Sequence, residues 1–258
     1  MINLKYPLHQ HLCGAIIVAV QGSYIAWRVR HAVLPFVRIY GQWVAERIIP
    51  LAAQLTKMAD AVEQEAYDQS MSQPAGEDYS GDGSEEAEYA FDVGLSFYQN
   101  ISDMYQATLN LFAAGLFHVI EQQLADLTRD GAIEGEVSET KLQVVVNWYK
   151  QHFQVDLTQF PSWSVIEELR LVANTTKHAE GSAARQLRMI HPELFQNPLV
   201  RQVDPNTPVF HMPVHLPLGG DGLYVTGDDF RTYQKAVVDL FEWLTKHFED
   251  NGDQYYPR

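Results

Sequence analysis

The chain has 258 residues, 46% of them hydrophobic, 12% aromatic and 20% charged. Those proportions belong to an ordinary globular protein of one large or two small domains and exclude collagen, coiled-coil fibre and disorder throughout. Eighteen Lys and Arg against 33 Asp and Glu leave a formal charge of −15, which repels nucleic acid and anionic membrane at long range and excludes a general cationic binder. The single cysteine, Cys13, excludes a disulfide framework and a cysteine-rich zinc site, and it fits a reducing, cytoplasmic setting.

Met1 to Gln10 holds one lysine, one histidine and a proline, with no small-residue cleavage site after it, so no secretory signal is expected. The most apolar run, Leu12 to Trp27, has 16 residues with Gln21 and Ser23 inside it. A bilayer span needs about 20, so the run reads as a buried helix and no membrane partner is expected. The basic flank Arg28-Val29-Arg30-His31 is what a membrane segment would share.

Residues 1–66 read as a helical region punctuated by Pro35 and Pro50, each expected to end or kink its helix. Residues 67–90 are acidic and rich in Ser and Gly, the composition of a linker or solvated loop. No Lys or Arg occurs between Lys57 and Arg129. That concentration of negative charge also suits a nucleic-acid mimic or an autoinhibitory segment.

From Phe91 an apolar period of three or four residues (Phe97, Ile101, Met104, Tyr105, Leu109, Leu111, Phe112, Leu116, Ile120, Leu124) predicts one long helix to about Asp126. The loop Asp130 to Glu136 follows, then a helix over Thr140–Phe153. Ser164 and Glu167 have the spacing of a capping box, which predicts a helix from Val165 to about Glu180 with Gly181 as its left-handed stop. A short helix is expected around Ala183–Ile190. Beyond it, His211 to Val225 reads as two short strands joined at Gly219-Gly220-Asp221-Gly222. Asp228 or Asp229 caps a last amphipathic helix from Phe230 to about Phe248. Residues 91–258 form a bundle elaborated by that hairpin and helix, and the fold class is mainly α.

Several chemistries fail on the residues. No phosphate loop of the Gly-x-x-x-x-Gly-Lys type occurs, and no Gly-x-Gly-x-x-Gly follows a strand. Ser96 lies in Gly94-Leu95-Ser96-Phe97-Tyr98, mid-helix, and lacks the second glycine of a nucleophile elbow. His118-Val119-Ile120-Glu121 reverses the order that a di-iron bundle needs, and Pro213 separates His211 from His215, which disfavours helical presentation of a zinc pair. No metal and no cofactor are implied.

What remains is the capped helix. At 100° per residue, Val165, Leu169, Val172 and Thr176 form its core stripe, while Arg170, Asn174 and Lys177 cluster on the other side with His178 nearby. Arg170 to Arg201 carries five basic residues (170, 177, 185, 188, 201) and two acidic ones (180, 193), a reversal of sign that suits a focused anion site. The bland reading gives Arg170 an acidic neighbour and lets Lys177 and His178 favour the helix C-terminus. His118, amid Leu116, Phe117 and Val119, likewise suits a core histidine, and Trp148, Tyr149, Trp163 and Trp243 suit core packing better than base stacking.

Leu169-Arg170, Asn174 and Lys177-His178, late in a helical bundle, resemble the HEPN superfamily of nucleotide-binding domains over roughly residues 91–190. The resemblance implies a helical bundle that dimerises through the motif helix and, in active members, metal-independent RNA cleavage in toxin–antitoxin or phage-defence systems. His118, Glu121 and Gln122 would lie on the partner helix. In that frame His178 is the general base, Arg170 stabilises the phosphorane, Asn174 orients the phosphate or His178, and Lys177 and Arg185 add charge toward substrate. The sequence departs from the family's motif. Seven residues separate Arg170 from His178, where the family has four to six, and Leu171 stands where a polar residue is usual. Arg185 and His191 have a five-residue gap, but eleven arginines and ten histidines make such a spacing expected by chance. The implied function is a metal-independent endoribonuclease acting on RNA, as a homodimer and with an antitoxin or regulatory protein as partner. The other reading is a non-catalytic HEPN-like interaction or regulatory subunit that binds a protein or nucleotide.

Overall fold

The computed structural model of the chain describes residues 22–72, 83–129, 137, 139–198, 200, 213–218 and 222–251. These are mainly helical. A helical stretch over 22–28 leads through a π turn, Val29–Val33, into α1, Leu34–Trp43. A second π turn, Val44–Ile48, and a 3-10 segment, Ile49–Gln54, precede α2, Leu55–Met71. Then come α3 (Ser84–Asp126), α4 (Leu142–His152), α5 (Trp163–His178), α6 (Ser182–Ile190), the 3-10 turn Pro192–Phe195, and α7 (Gly227–Asp250). No helix among the described residues is long and apolar enough to cross a membrane. Residues 12–21 of the apolar run lie outside those described.

Each proline marks a change of helix type rather than a break into loop. Pro35 is the second residue of α1 and Pro50 the second of the 3-10 segment, and each directly follows a π turn. A proline ring clashes with the carbonyl four residues before it. Those carbonyls belong to His31 and Glu46, both inside the widened turns, where the looser spiral carries them away from the ring.

The stretch expected as a linker is shorter than 67–90. Residues 67–71 complete α2, and α3 starts at Ser84, seven residues ahead of Phe91. Gly83 adopts φ 72°, a left-handed value that glycine reaches without cost, and its carbonyl accepts from Ala87 N at 3.2 Å. Glu85 and Glu86 then fill the first turn, where carboxylates meet the positive end of the helix dipole. Acidic composition therefore marked a helix start here.

The chain divides into two compact units, each drawn from separate stretches of sequence. The first comprises residues 1–42, 113–173 and 228–258. Its core joins Leu116, Ile120 and Leu124 of α3, Tyr149 of α4, Leu169 of α5, and Phe241 and Phe248 of α7, all buried. The Tyr149 hydroxyl donates to the Leu124 carbonyl at 3.0 Å, and burial pushes its pKa far above the ordinary phenol value. Phe153 meets Phe248 edge-on at 5.1 Å. The N-terminal arginines pair with acidic groups of this unit: Arg28 with Asp126 at 2.7 Å, Arg30 with Glu249 at 2.6 Å, and Arg38 with Glu242 at 2.5 Å.

The second unit comprises residues 43–112 and 174–227. In it α2 and the first part of α3 lie antiparallel. The Tyr105 hydroxyl donates to the Ile49 carbonyl at 3.3 Å, while Gly94 faces Glu63. The expected hairpin over 211–225 does not appear among the described residues; 213–217 and 222–226 contain no strand. Their backbone groups find other partners. Val214 accepts from Glu180 N at 3.0 Å, Leu218 N donates to the Thr176 carbonyl at 2.8 Å, and Tyr224 N donates to the Leu194 carbonyl at 2.7 Å. On α3, Asn110 Nδ2 donates to the Leu223 carbonyl at 2.8 Å while its Oδ1 accepts from Val225 N at 3.3 Å. Gln106 Nε2 donates to the Val225 carbonyl at 2.9 Å. Side-chain amides and helix ends thus satisfy what a ladder would have satisfied.

Candidate functional site

The helix that carries the quartet begins earlier than its sequence suggests. Ser164 is the second residue of α5, not its cap. Trp163 N donates to the Phe160 carbonyl at 2.9 Å and Val165 N to the Ser162 carbonyl at 3.1 Å, so tight turns open the helix and the Ser164–Glu167 capping box does not form. Glu167 instead accepts from Arg170 Nε at 2.8 Å. The buried stripe runs through Ile166, Leu169, Val172, Thr175 and Thr176, with Ile166 taking the place expected for Val165.

The end of α5 is also displaced. Ala179 holds φ 56°, and its N–H donates to the Thr175 carbonyl at 2.8 Å. It is the left-handed stop expected at Gly181, whose φ of −158° is ordinary extended backbone. The next N–H, of Glu180, is taken by Val214, which draws the chain off the helix there.

Arg170 is partly buried, and in its i,i+3 bridge to Glu167 the two side chains are 33% and 38% exposed. Asn174 is half-buried and has a partner; Lys177 and His178 are exposed on the final turn. Arg170 and His178 are eight residues apart on one helix, so their Cα atoms stand ~12 Å apart along its axis. The expected patch of five cations is thinner than its composition. Glu180 Oε1 and Oε2 accept from Arg188 Nη1 and Nη2 at 3.0 and 2.8 Å, and the guanidinium lies 4.4 Å over the Phe195 ring. That bidentate partner, foremost, holds the Glu180 carboxyl below its usual range. Arg185 is exposed and, like Lys177, has no ion pair among the described residues. Arg201 lies outside them. His191 contacts Glu193 at 2.8 Å.

His118 is exposed rather than core, with Nδ1 3.1 Å from Glu121 Oε2. The other oxygen of Glu121 accepts from Leu142 N at 3.1 Å, capping the first turn of α4. Gln122 is exposed. The fold therefore gathers Asn174, Lys177 and His178 on the last two turns of α5 with Arg170 one turn before, and gives His118 and Glu121 work between α3 and α4. The bonding of Glu180–Arg188–Phe195 and of Gln106 and Asn110 was not anticipated. Two amides four residues apart in an otherwise apolar run were the available signal for the second.

A different surface stands open in the second unit. Along the α2–α3 pair, Ile48, Leu51, Leu55, Met58, Ile101, Met104, Tyr105 and Thr108 line an open hollow. A second, separate hollow lies toward the far end of the pair between Thr56, Ala59, Asp60 and Glu63 and Phe91, Gly94, Leu95 and Tyr98. Neither contains a residue of the quartet.

No family model matches the chain. No curated protein matches it. No solved structure matches it. The HEPN resemblance accordingly rests on the residues of α5.

Proposed function

We propose that this chain is a non-catalytic interaction or regulatory subunit. The observation that carries this reading is the Arg170–Glu167 bridge: the guanidinium that would stabilise a phosphorane already donates to a carboxylate one turn away, and a carboxylate at that place repels the phosphate it would have to admit. Reach points the same way. A general base must come within hydrogen-bond distance of the proton it removes while the arginine holds the same phosphate, and ~12 Å of helix separates the two Cα positions. Binding by contrast needs only a surface, and the α2–α3 pair offers an exposed apolar hollow lined by Leu51, Leu55, Met58, Ile101 and Met104.

The second reading, a metal-independent endoribonuclease of defence or toxin type working as a homodimer, draws on the exposure of Lys177, His178 and Arg185. Incubating purified full-length protein with labelled RNA in EDTA separates the two. The subunit reading expects intact RNA and no difference between the natural chain and His178→Ala. RNA cleavage lost in both His178→Ala and Arg170→Ala, with the melting curve unchanged, establishes the nuclease instead.

A further inference from the structure

We infer that the outward side of the helical stretch 22–42 is covered by a second copy of this chain, the two helices lying antiparallel about a twofold axis. This association does not depend on the subunit reading.

The register of the helix makes the surface. Val29, Val33, Val37 and Gly41 are all buried, so through the π turn and α1 the inward line recurs every fourth residue, at about 90° per residue instead of 100°. At that period Trp27, His31, Pro35 and Ile39 fall on the line directly opposite. All four are exposed, Trp27 at 57% and Ile39 at 66%. Beside them stand Tyr24, Ala32 and Phe36, with Tyr24 and Phe36 at 44% and 49%. The Tyr24 ring stacks on Trp27 at 6.2 Å, and His31 lies 5.2 Å from the same indole. A helix apolar on both sides has the pattern of a buried one, yet among the described residues nothing covers the outer side. A contiguous apolar row of this kind marks a place of association.

Charge selects the occupant. Arg30 and Arg38 fall on one flank, and each is paired within its own unit, with Glu249 at 2.6 Å and Glu242 at 2.5 Å. Arg28, on the other flank, pairs with Asp126 at 2.7 Å. An anionic lipid surface or a nucleic acid therefore meets arginines already neutralised, and a basic helix meets carboxylates already neutralised. A copy of the same surface fits. A twofold axis across antiparallel helices brings like flanks together, so the Arg30–Glu249 pair of one chain reaches the Arg38–Glu242 pair of the other with signs alternating. Ala32 and Phe36 then meet their own copies, and Trp27 packs on Ile39 of the second chain. A parallel pair would set the arginine flank against Phe36 instead. The three aromatic rings, each about half exposed, bring roughly 300 Å² per chain. With Ile39, Pro35, His31 and the flanking ion pairs, the surface approaches the ~800 Å² that each partner of a stable complex contributes.

Sedimentation equilibrium of the full-length protein is the test. A dimer is expected at micromolar concentration. Ile39→Glu should weaken it at least about tenfold with the circular dichroism spectrum unchanged, whereas Met189→Glu, at an exposed position of α6, should leave it intact. In a Cys13→Ser background, Ala32→Cys is expected to link the two chains by a disulfide under mild oxidation, because only the antiparallel pair sets both thiols at the axis. Overturning results are a monomer at every concentration up to about 100 μM, a dimer that both Ile39→Glu and Phe36→Glu leave intact, or a dimer that Ala32→Cys does not link. Flotation of the natural chain, but not of Ile39→Glu, with phosphatidylcholine vesicles makes a lipid surface the occupant and overturns the dimer equally. None of these results alters the RNA assay, so the association and the proposed function stand or fall separately.

Discussion

Ala179 shows how far a single residue can depart from the rule that describes its neighbours. The sequence offered glycine two positions later as the stop for α5, yet the chain turns at the alanine because Val214 waits for the N–H of Glu180. An L-residue in the left-handed region meets its own Cβ against the carbonyl, which costs ~1–2 kcal/mol. Ala179→Gly is expected to stabilise the fold by about 0.5–1 kcal/mol, less a little for the buried methyl it gives up. A thermal melt should register a rise of about 1–3 °C, and a fall would show that the methyl outweighs the backbone. The polar quartet was legible as a cluster on one side of a helix. Its bonding was not, because nothing in a sequence says whether Glu167 turns back to its own helix start or forward to Arg170.

Helices were the most legible elements, since an apolar period of three to four residues outlasts errors at either end. The long α3, α4, α6 and α7 all lie where periodicity puts them, give or take their first turns. Among the described residues no hairpin forms, for a definite reason: short apolar runs bounded by glycine satisfy a strand pattern, but in the second unit a ready row of amides and helix ends takes their hydrogen bonds first. Packing between helices was equally hidden. Gly94 sits where a Cβ would fall 2.8 Å from the Cβ of Glu63. Gly94→Ala gains ~1 kcal/mol of helix propensity but forces α2 and α3 apart, and overpacking of this sort costs about 1–3 kcal/mol. The obstructing atom is bonded directly to the backbone and cannot rotate away, so packing should win. The variant is expected to melt below the natural chain, and a higher melting point would mean that the hairpin yields easily at this crossing.

For the molecule as a whole, composition was a good guide to class and a poor one to division. It announced a mainly helical chain with its negative charge in the middle, but the two units are each assembled from stretches far apart in sequence, which no shift of composition marks. Charge also governs how stability responds to acid. Lowering the pH relieves the repulsion within a chain of −15, but His247 of α7 works against this. Its partly buried ring is harder to protonate than an ordinary histidine, burial being the main cause and the nearby Asp250 a partial offset. The unfolded chain accepts that proton at about 6.5, ahead of the folded one. Stability from this group is therefore full above that value and declines as the pH falls toward the lower, folded pKa. Between pH 7.5 and 5.5 the melting temperature of His247→Gln should improve relative to the natural chain, and parallel curves would absolve His247.

Asn110 carries a last implication. Its single amide serves Leu223 with a hydrogen and Val225 with a lone pair, spaced two residues apart as a neighbouring peptide group would serve them. One side chain impersonates a strand. Such a post admits no near equivalent: aspartate would turn oxygen toward oxygen, leucine would strand both groups dry, and so chemistry alone reserves the position for the residue found there.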